Sequence, residues 1–262
     1  MTGPDVARAA GLLGRDRLAR RPFPGFDDEL RPRTSDDAYA IQAALHELLA
    51  QHGGAQAGWK IGCTTPTMQE YLDIHEPAAG HIRASTVHEG PASVEHASFR
   101  NPGVECELAV RLARDLAPGS GPHDRESVRP AIGSVMAAIE IVDDRYIDWR
   151  ALAAPTLTAD DFFGAGCVLG RPDVPWRDVD LGRVAATMRV NGQEIGSGVG
   201  ADILGDPLAA LVWLVNGPAR AQGLPAGSIV MLGSLVQTHW VDAGDVVTIE
   251  NDTFGDVSVT FT

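Results

Sequence analysis

One stretch decides the fold: Gly103-Val104-Glu105-Cys106-Glu107-Leu108-Ala109-Val110-Arg111-Leu112. Its even-numbered residues are all apolar, whereas its odd-numbered residues include both glutamates and the arginine. This alternation predicts a β-strand with one face on a core. Glu105 and Glu107 then leave the same face about 7 Å apart. Two negative charges held that close repel unless a positive group lies between them, and a divalent cation is the simplest such group.

A third glutamate interrupts an apolar run. Glu140 lies in Val135-Met136-Ala137-Ala138-Ile139-Glu140-Ile141-Val142, where a buried carboxylate is costly unless it is paired or bound to a metal. Together with Glu105 and Glu107 it would give three oxygen ligands, a set that favours Mg²⁺ or Mn²⁺ over Zn²⁺. The alternative is that Glu105 and Glu107 line a solvated strand face and that Glu140 pairs with an arginine such as Arg145.

Composition limits the classes of function. The chain has 262 residues, enough for one large domain or for a main domain with a small appendage. Its formal net charge of −14 argues against nucleic acid or an anionic membrane as the main partner. Cys63, Cys106 and Cys167 are far apart and are predicted to be core residues. No signal-like start and no apolar run of membrane-spanning length is present, which predicts a cytoplasmic protein.

The order of the predicted elements indicates an α+β fold. Helices are predicted over 4–20, 34–53 and 67–72, and a short strand over 58–63. A loop is predicted over 143–164. The other predicted strands are 104–112, 134–142, 163–169, 186–190, 228–233, 244–250 and 256–261. Segregated strands with few helices predict a curved sheet or roll that follows a helical N-terminal part.

Two local signals fix features of the second half. The pair Asn191-Gly192 predicts a tight hairpin turn. Asp206 and Pro207 predict the N-cap and the first position of a helix, and Gly223 is a plausible end for that helix.

Several other polar residues are candidates for chemistry. Lys60 lies in a short apolar strand, where desolvation could lower its pKa enough for proton transfer near neutral pH. The alternative is a surface lysine whose stem alone is covered. His75, Glu76 and His81 lie in a predicted loop and could act as acids or bases, or they are ordinary polar loop residues.

Two glycine-rich segments are candidates for binding loops. The segment 196–200 lacks the lysine of a phosphate-binding loop and the spacing of a dinucleotide fingerprint. Gly233-Ser234-Leu235 follows a predicted strand, and its backbone amides could hold a carboxylate. A plain turn is an equal alternative for that segment.

Taken together, the segments resemble the 2-hydroxypenta-2,4-dienoate (2-keto-4-pentenoate) hydratase and 4-oxalocrotonate decarboxylase family, part of the fumarylacetoacetate hydrolase-like superfamily. The resemblance runs from about Asp37 to the C-terminus. Its matching stretches are Gly58-Trp59-Lys60-Ile61-Gly62, Val104-Glu105-Cys106-Glu107, Ile139-Glu140-Ile141-Val142-Asp143, Ser197-Gly198-Val199-Gly200, Leu204-Gly205-Asp206-Pro207 and Gly233-Ser234-Leu235.

The resemblance implies a mixed β-roll or barrel-like core of the fumarylacetoacetate hydrolase C-terminal type, over 97–262. Residues 1–96 are then a helical part that contributes Lys60 and a lid-like loop. A metal, Mg²⁺ or Mn²⁺, is expected on Glu105, Glu107 and Glu140. The expected catalytic residues are Lys60, Glu76 and His75, and the expected substrate-binding residues are Ser197, Gly233, Ser234, Leu235 and Asp161.

The resemblance also implies a metal-dependent lyase for a 2-hydroxydienoate or 2-oxo-enoate, in aromatic or related catabolism. A homo-oligomer is expected, which could also associate with a pathway neighbour. Hydration is the main expectation. Related hydratases carry an aspartate where this chain has Ala78, which gives weight to a 4-oxalocrotonate-type decarboxylase. In Asp161-Phe162-Phe163 the two phenylalanines replace small residues and are expected to change the pocket. An acylpyruvate C–C hydrolase, a 2-oxo acid tautomerase and a non-catalytic partner subunit stay open.

Overall fold

Six α-helices and twelve β-strands make up the computed structural model, which describes the backbone throughout and all side chains except those of residues 53, 67 and 71. The helices are α1 (Gly3–Leu18), α2 (Ser35–Gly53), α3 (Pro66–Tyr71), α4 (Arg125–Val128), α5 (Ala154–Ala159) and α6 (Pro207–Asn216). The strands are β1 (Gln56–Gly62), β2 (Ala78–Arg83), β3 (Val87–Glu89), β4 (Ala92–Val94), β5 (Pro102–Leu112), β6 (Ile132–Asp143), β7 (Gly164–Leu169), β8 (Ala185–Val190), β9 (Gln193–Val199), β10 (Ile229–Trp240), β11 (Val246–Asn251) and β12 (Val257–Phe261).

Two mixed sheets form the centre of the molecule. The larger has seven strands in the order β2-β1-β10-β5-β6-β7-β3, and the smaller has five in the order β4-β12-β11-β8-β9. The larger sheet curls until its first strand meets the far side: a Cβ added to Gly80 of β2 would lie 2.5 Å from the carbonyl oxygen of Asp161, just before β7. The expected α+β fold with a rolled, barrel-like sheet is therefore confirmed.

The long strands of the roll are buried on both faces. In β5, the even-numbered Cys106 and Leu108 join the large core between the two sheets. On the other face, Ala109 joins a smaller apolar cluster together with Met136 and Met231. Glu107 lies on this second face and has an exposed fraction of 0%. The alternative of a solvated strand face is thus wrong for Glu107, because the roll encloses it.

Two helices at the N-terminus form a separate apolar cluster beside the roll. Leu13 of α1 packs with Ile41 and Leu45 of α2. The same cluster includes Ala78 and Phe162, which lie where β2 begins and just before β7. The side chains of Thr2 and Thr34 cap the two helices by accepting backbone N–H hydrogen bonds. The helices therefore cover the seam of the roll.

Several local predictions can now be compared with the structure. The turn at Asn191-Gly192 is confirmed, with positive φ angles of 50° and 78° that suit a tight hairpin. Asp206 caps α6 by accepting the N–H of Leu208, as predicted. The predicted end at Gly223 is wrong, because α6 ends at Asn216 and turns follow. The predicted loop over 143–164 contains α5.

Cys63, Cys106 and Cys167 are free and buried, as predicted. No described helix is long and apolar enough to cross a membrane. The division of the chain after residue 96 stays a prediction. Four strands before that point, β1 to β4, belong to the two sheets, and β1 carries Lys60.

Gly58 is required where β1 pairs with β10, because a Cβ there would lie 1.9 Å from the backbone oxygen of Ile229. We expect Gly58→Ala to lower the free energy of unfolding by about 3 kcal/mol, since backbone atoms cannot give way as a side chain can. Gly11→Ala in α1 is the control, because no atom lies within 4 Å of the added Cβ. It should stabilise the protein by roughly 0.5–1 kcal/mol. Denaturant unfolding measures both, and equal effects would contradict the argument.

Candidate metal centre

Three glutamates meet inside the roll because β5 and β6 are antiparallel neighbours. The register places Glu105 directly opposite Glu140. Glu107 follows two residues later on the same face of β5. One carboxylate oxygen from each of the three lies within 4.8 Å of the others. Glu107 and Glu140 are fully enclosed, and Glu105 is half-buried, so the cluster is open on the Glu105 side.

Lys60 completes the cluster from β1. Its Nζ lies 2.9 Å from Oε1 of Glu140, and the two side chains are only 3% and 1% exposed. It is the only lysine in the sequence. The alternative of a surface lysine is therefore wrong. The alternative partner for Glu140 is also wrong, because Arg145 pairs with Asp160 at 3.1 Å.

The pKa of Lys60 differs from the expectation. Burial alone would lower this pKa, but the negative charges of Glu140, Glu105 and Glu107 outweigh burial and raise it. Desolvation considered alone predicts a lowered pKa for Lys60. That prediction is wrong because it leaves out the three acids around the ammonium group. The sequence indicates that Lys60 lies in an apolar strand. It does not indicate that strand pairing places the glutamates of β5 and β6 beside it.

The two enclosed glutamates hold their protons unusually tightly. Burial, followed by repulsion from Glu140 and Glu105, raises the pKa of Glu107 well above its ordinary value. Burial also raises the pKa of Glu140, to about 7, although Lys60 acts in the opposite direction. Glu107 Oε1 and Glu140 Oε2 have no hydrogen-bond partner among the described residues. Two buried oxygens thus lack a donor in the protein itself.

A β-bulge in β10 orients Glu107. Between Met231 and Ser234 the strand has one residue more than β5 opposite it. The extra residue allows Gly233, at φ 122°, to donate its N–H to Oε2 of Glu107 at 3.0 Å. A side chain at this position would collide with Thr64, since a Cβ would lie 2.5 Å from its Oγ1. The Gly233 amide is therefore engaged with a protein carboxylate.

The hydroxyl of Thr238, also on β10, donates a hydrogen bond to Glu105. The sequence analysis missed this residue, because a threonine in a strand is common and gives no signal by itself. Each β5 glutamate therefore has one carboxylate oxygen held by a hydrogen-bond donor of β10.

The donor set of the cluster fits a hard divalent cation. Three carboxylates and one ammonium carry a formal charge of −2 when all are ionised, which one divalent cation neutralises. Carboxylate oxygens without imidazole or thiolate donors suit Mg²⁺ or Mn²⁺. The two buried oxygens without partners are the atoms that such an ion would satisfy.

Other predicted site residues lie apart from the glutamates. His75 and Glu76 are exposed and line a separate cavity of about 350 Å³ together with Tyr39 and Ala78. Ser197 is exposed on β9, in the smaller sheet. Neither His75, Glu76 nor Ser197 has a hydrogen bond or ion pair to the three glutamates in the described structure.

The segment Gly233-Ser234-Leu235 lies within β10 and is not a turn after a strand. Ser234 lies opposite Glu107 in the register, but its hydroxyl donates to the carbonyl of Val236 at 2.6 Å. Leu235 is buried in the core between the sheets. Of this predicted substrate-binding segment, Gly233 is the residue that contacts a glutamate.

Asp161 belongs to a second polar cluster. Its carboxylate accepts hydrogen bonds from Arg17 at 2.8 Å, His46 at 2.7 Å and the backbone N–H of His81 at 2.9 Å. Burial raises the pKa of Asp161, but His46 and Arg17 outweigh burial and hold it well below its ordinary value. His81 lies in β2, so its prediction as a loop residue is wrong. Protein donors already surround the Asp161 carboxylate.

The segment after Asp161 forms a wall of the metal centre. Asp161, Phe162 and Phe163 have consecutive positive φ angles of 59°, 47° and 66°. Non-glycine residues in this region cost about 1–3 kcal/mol each, and they persist where the surroundings fix them. The Phe162 ring centroid lies 5.5 Å from the Nζ of Lys60. Phe162 therefore lies beside Lys60, and the expected change in pocket shape stays a prediction.

Comparisons with known proteins agree with this geometry. The profile of the fumarylacetoacetate (FAA) hydrolase C-terminal family matches residues 66–262. The chain is 36% identical over 258 residues to 2-keto-4-pentenoate hydratase of Burkholderia vietnamiensis, covering 98% of this chain and 97% of that protein. It is 34% identical to 2-hydroxyhexa-2,4-dienoate hydratase of Comamonas testosteroni, covering 94% and 93%.

A solved structure is similar over the whole chain. It is 4-oxalocrotonate decarboxylase from Pseudomonas putida G7, complexed with magnesium and adipate, with a TM-score of 0.92 and 25% identity. The alignment covers 100% of this chain and 99% of that one. From the match over residues 66–262 and the full-length relatives, this chain belongs to the fumarylacetoacetate hydrolase family.

Proposed function

We propose that the protein is a divalent-metal-dependent lyase that acts on a 2-hydroxydienoate or its 2-oxo-enoate form, with hydration as the main reaction. The observation that carries this proposal is the group of three glutamates, two of them enclosed, beside one lysine. Full-length relatives named as hydratases of such dienoates support it. The proposed substrates are small anions. A cation bound to the three glutamates would offset their charge and allow such an anion to bind, although the chain has a net charge of −14.

Glu105, Glu107 and Glu140 would hold Mg²⁺ or Mn²⁺. The magnesium complex of the similar decarboxylase structure supports this choice of metal. When bound, the ion would supply Lewis acidity for the negative charge that develops on the C2 oxygen of the substrate. Gly233 and Thr238 would keep the β5 glutamates oriented, since each donates a hydrogen bond to one of them.

Lys60 would move the proton in the first step. Its Nζ would take up the proton of the C2 hydroxyl and deliver a proton to C5, which converts the dienol into the 2-oxo-enoate. Water would then add its oxygen to C4, and C3 would receive a proton. A divalent cation would offset two of the three negative charges that raise the pKa of Lys60, so burial would act more strongly in favour of the neutral amine. Phe162 would exclude bulk water from one side of Lys60.

Ala78 favours decarboxylation as a second candidate reaction. It lies opposite Gly62 in the pairing of β1 and β2 and is buried in an apolar cluster with Cys63 and Phe162. A water held by a carboxylate at this position is therefore not available. In a decarboxylase, a distal carboxylate of a 2-oxo-enedioate would leave as CO₂ instead. The similar decarboxylase structure supports this alternative.

The remaining alternatives have less support. Hydrolysis of an acylpyruvate needs a water-activating base, but His75 and Glu76 are exposed and line a different cavity. A non-catalytic role does not account for three clustered acids, of which two are enclosed and have raised pKa values. An assembly of several copies and a complex with a pathway neighbour are part of the proposal.

The reaction can be decided by product mass. With Mg²⁺ present, we expect the purified protein to consume 2-hydroxypenta-2,4-dienoate, followed by its ultraviolet absorbance, with a product heavier by one water. Loss of CO₂ from a 2-oxohex-3-enedioate would select the second candidate. Lys60→Met should lower kcat by roughly 10²-fold or more, whereas the exposed Arg31→Gln should not. No turnover of any such acid would refute both reactions.

Removal of one ligand tests the metal centre without substrate. We expect saturating Mg²⁺ to raise the melting temperature by roughly 5–10 °C at about a hundred times its Kd. Glu107→Gln should abolish most of this increase, because a neutral amide binds the ion poorly. Glu194→Gln, on an exposed strand, is the matched control and should keep the increase. Equal increases in the two variants would place the metal elsewhere.

Stabilisation by Mg²⁺ should also grow with pH. In the metal-free protein, Glu140 has a pKa of about 7 compared with an ordinary value of 4.5, so the folded state binds protons more tightly. Metal-free stability therefore falls as pH rises from 4.5 towards 7. The ion must displace these protons, so its affinity should rise by about tenfold per pH unit for each proton released. Thermal shifts at several pH values, with and without Mg²⁺, measure this; a shift independent of pH would contradict it.

A further inference from the structure

A second cavity, of about 550 Å³, lies on the outer side of the roll. Its walls come from the end of α1, from β2 and β3, from the start of β7 and from residues 93–100. Neither Lys60 nor any of the three glutamates lines it. The wall between the two sites is thin at Gly164, where an added Cβ would lie 3.3 Å from Cε of Lys60.

The cavity is rich in arginine although the chain as a whole is acidic. Four acidic residues line it, and two of them, Asp16 and Asp161, are already bound to arginines. Asp143 accepts backbone N–H groups of residues 100 and 101, and the fourth acid, Glu95, is exposed. The six arginines of the lining are Arg17, Arg20, Arg21, Arg83, Arg100 and Arg145.

Three of these arginines have a carboxylate partner. Arg17 pairs with Asp160 and Asp161, Arg145 pairs with Asp160, and Arg21 pairs with Asp16. These pairs are internal to the wall. They account for three of the six guanidinium groups. Of the other three, Arg20 and Arg100 are exposed and Arg83 is half-buried.

The other three have no carboxylate partner among the described residues. Arg20 donates only to the carbonyl of Ala97 at 3.0 Å. The guanidinium groups of Arg83 and Arg100 have no hydrogen bond or ion pair in the described structure. Arg83 is half-buried, and burial together with the nearby charge of Arg17 lowers its pKa. A recessed cation beside other cations is unfavourable unless an anion joins it.

We propose that this cavity binds a small oxyanion with two or more negative charges, a di- or tricarboxylate or a phosphate ester. Guanidinium groups hold both classes by paired, charge-assisted hydrogen bonds. The volume is in the range of metabolite-binding pockets, about 300–1,000 Å³. Ser85 and Ser93 add hydroxyl donors to the lining. The proposal does not depend on the reaction at the metal centre, since the two sites share no charged residue.

Binding to the full chain at constant ionic strength tests this proposal, and Mg²⁺ is left out because both probes named below chelate it. Citrate and pyrophosphate serve as probes in calorimetric titrations, and chloride serves as the monovalent reference. We expect one equivalent of citrate or pyrophosphate to bind per chain, and the tighter of the two identifies the class. Chloride should not compete at equal concentration.

Arg83→Gln should weaken that binding by about tenfold or more, because it removes a charge-assisted donor. Arg100→Gln, an exposed position, is a second variant that should fold normally and weaken binding in the same direction. Arg31→Gln is exposed and outside the cavity, so its affinity should stay unchanged.

Three results would overturn the proposal. One is the absence of binding by either probe. Another is an equal loss of affinity in Arg31→Gln, which would mean a general effect of net charge. The third is a change of oligomeric state in Arg83→Gln without any anion binding, measured by mass photometry, which would mean that an acidic side chain of a second copy fills the cavity.

Discussion

The rest of the structure depends on one electrostatic constraint, the clustering of three carboxylates beside a single ammonium group inside the roll. Glu107, Glu140 and Lys60 are withdrawn from water, and Glu105 is beside them. One ammonium cannot balance three carboxylates in a medium of low polarity. Without a further positive charge, the protein responds by holding protons on its acids, as the raised pKa values of Glu107 and Glu140 show. The site therefore has an excess of buried negative charge that a bound cation would stabilise.

The fold holds that cluster in place with ordinary backbone devices. Antiparallel pairing sets Glu105 against Glu140, and the bulge at Gly233 turns one amide towards Glu107. Curling of the seven-stranded sheet brings Lys60 to the same interior. The strained backbone at Asp161–Phe163 is fixed from behind by a buried network of arginine, histidine and aspartate. These four features come from segments that are far apart in the sequence: the β5–β6 pair, β10, β1 and the segment before β7.

Much of this arrangement could be predicted, and the remainder could not for physical reasons. The alternation around Glu105 and the isolated Glu140 are local sequence patterns. They therefore allow the strand, the shared face of Glu105 and Glu107, and the buried charge to be predicted. The partner of Lys60 was not, because it depends on register between strands distant in sequence. The position of Gly233 depends on a bulge, which shifts one residue and leaves no compositional trace. The surroundings of Asp161 could not be predicted either, because the three hydrogen-bond donors around its carboxylate come from α1, α2 and β2.

Lys60 has one more consequence, which concerns the outside of the molecule. Since the chain contains no other lysine, its exposed basic side chains are arginines and histidines. Reagents and modifications directed at lysine side chains thus have no target on the surface. The single lysine side chain of this sequence is enclosed at the place where its glutamates meet.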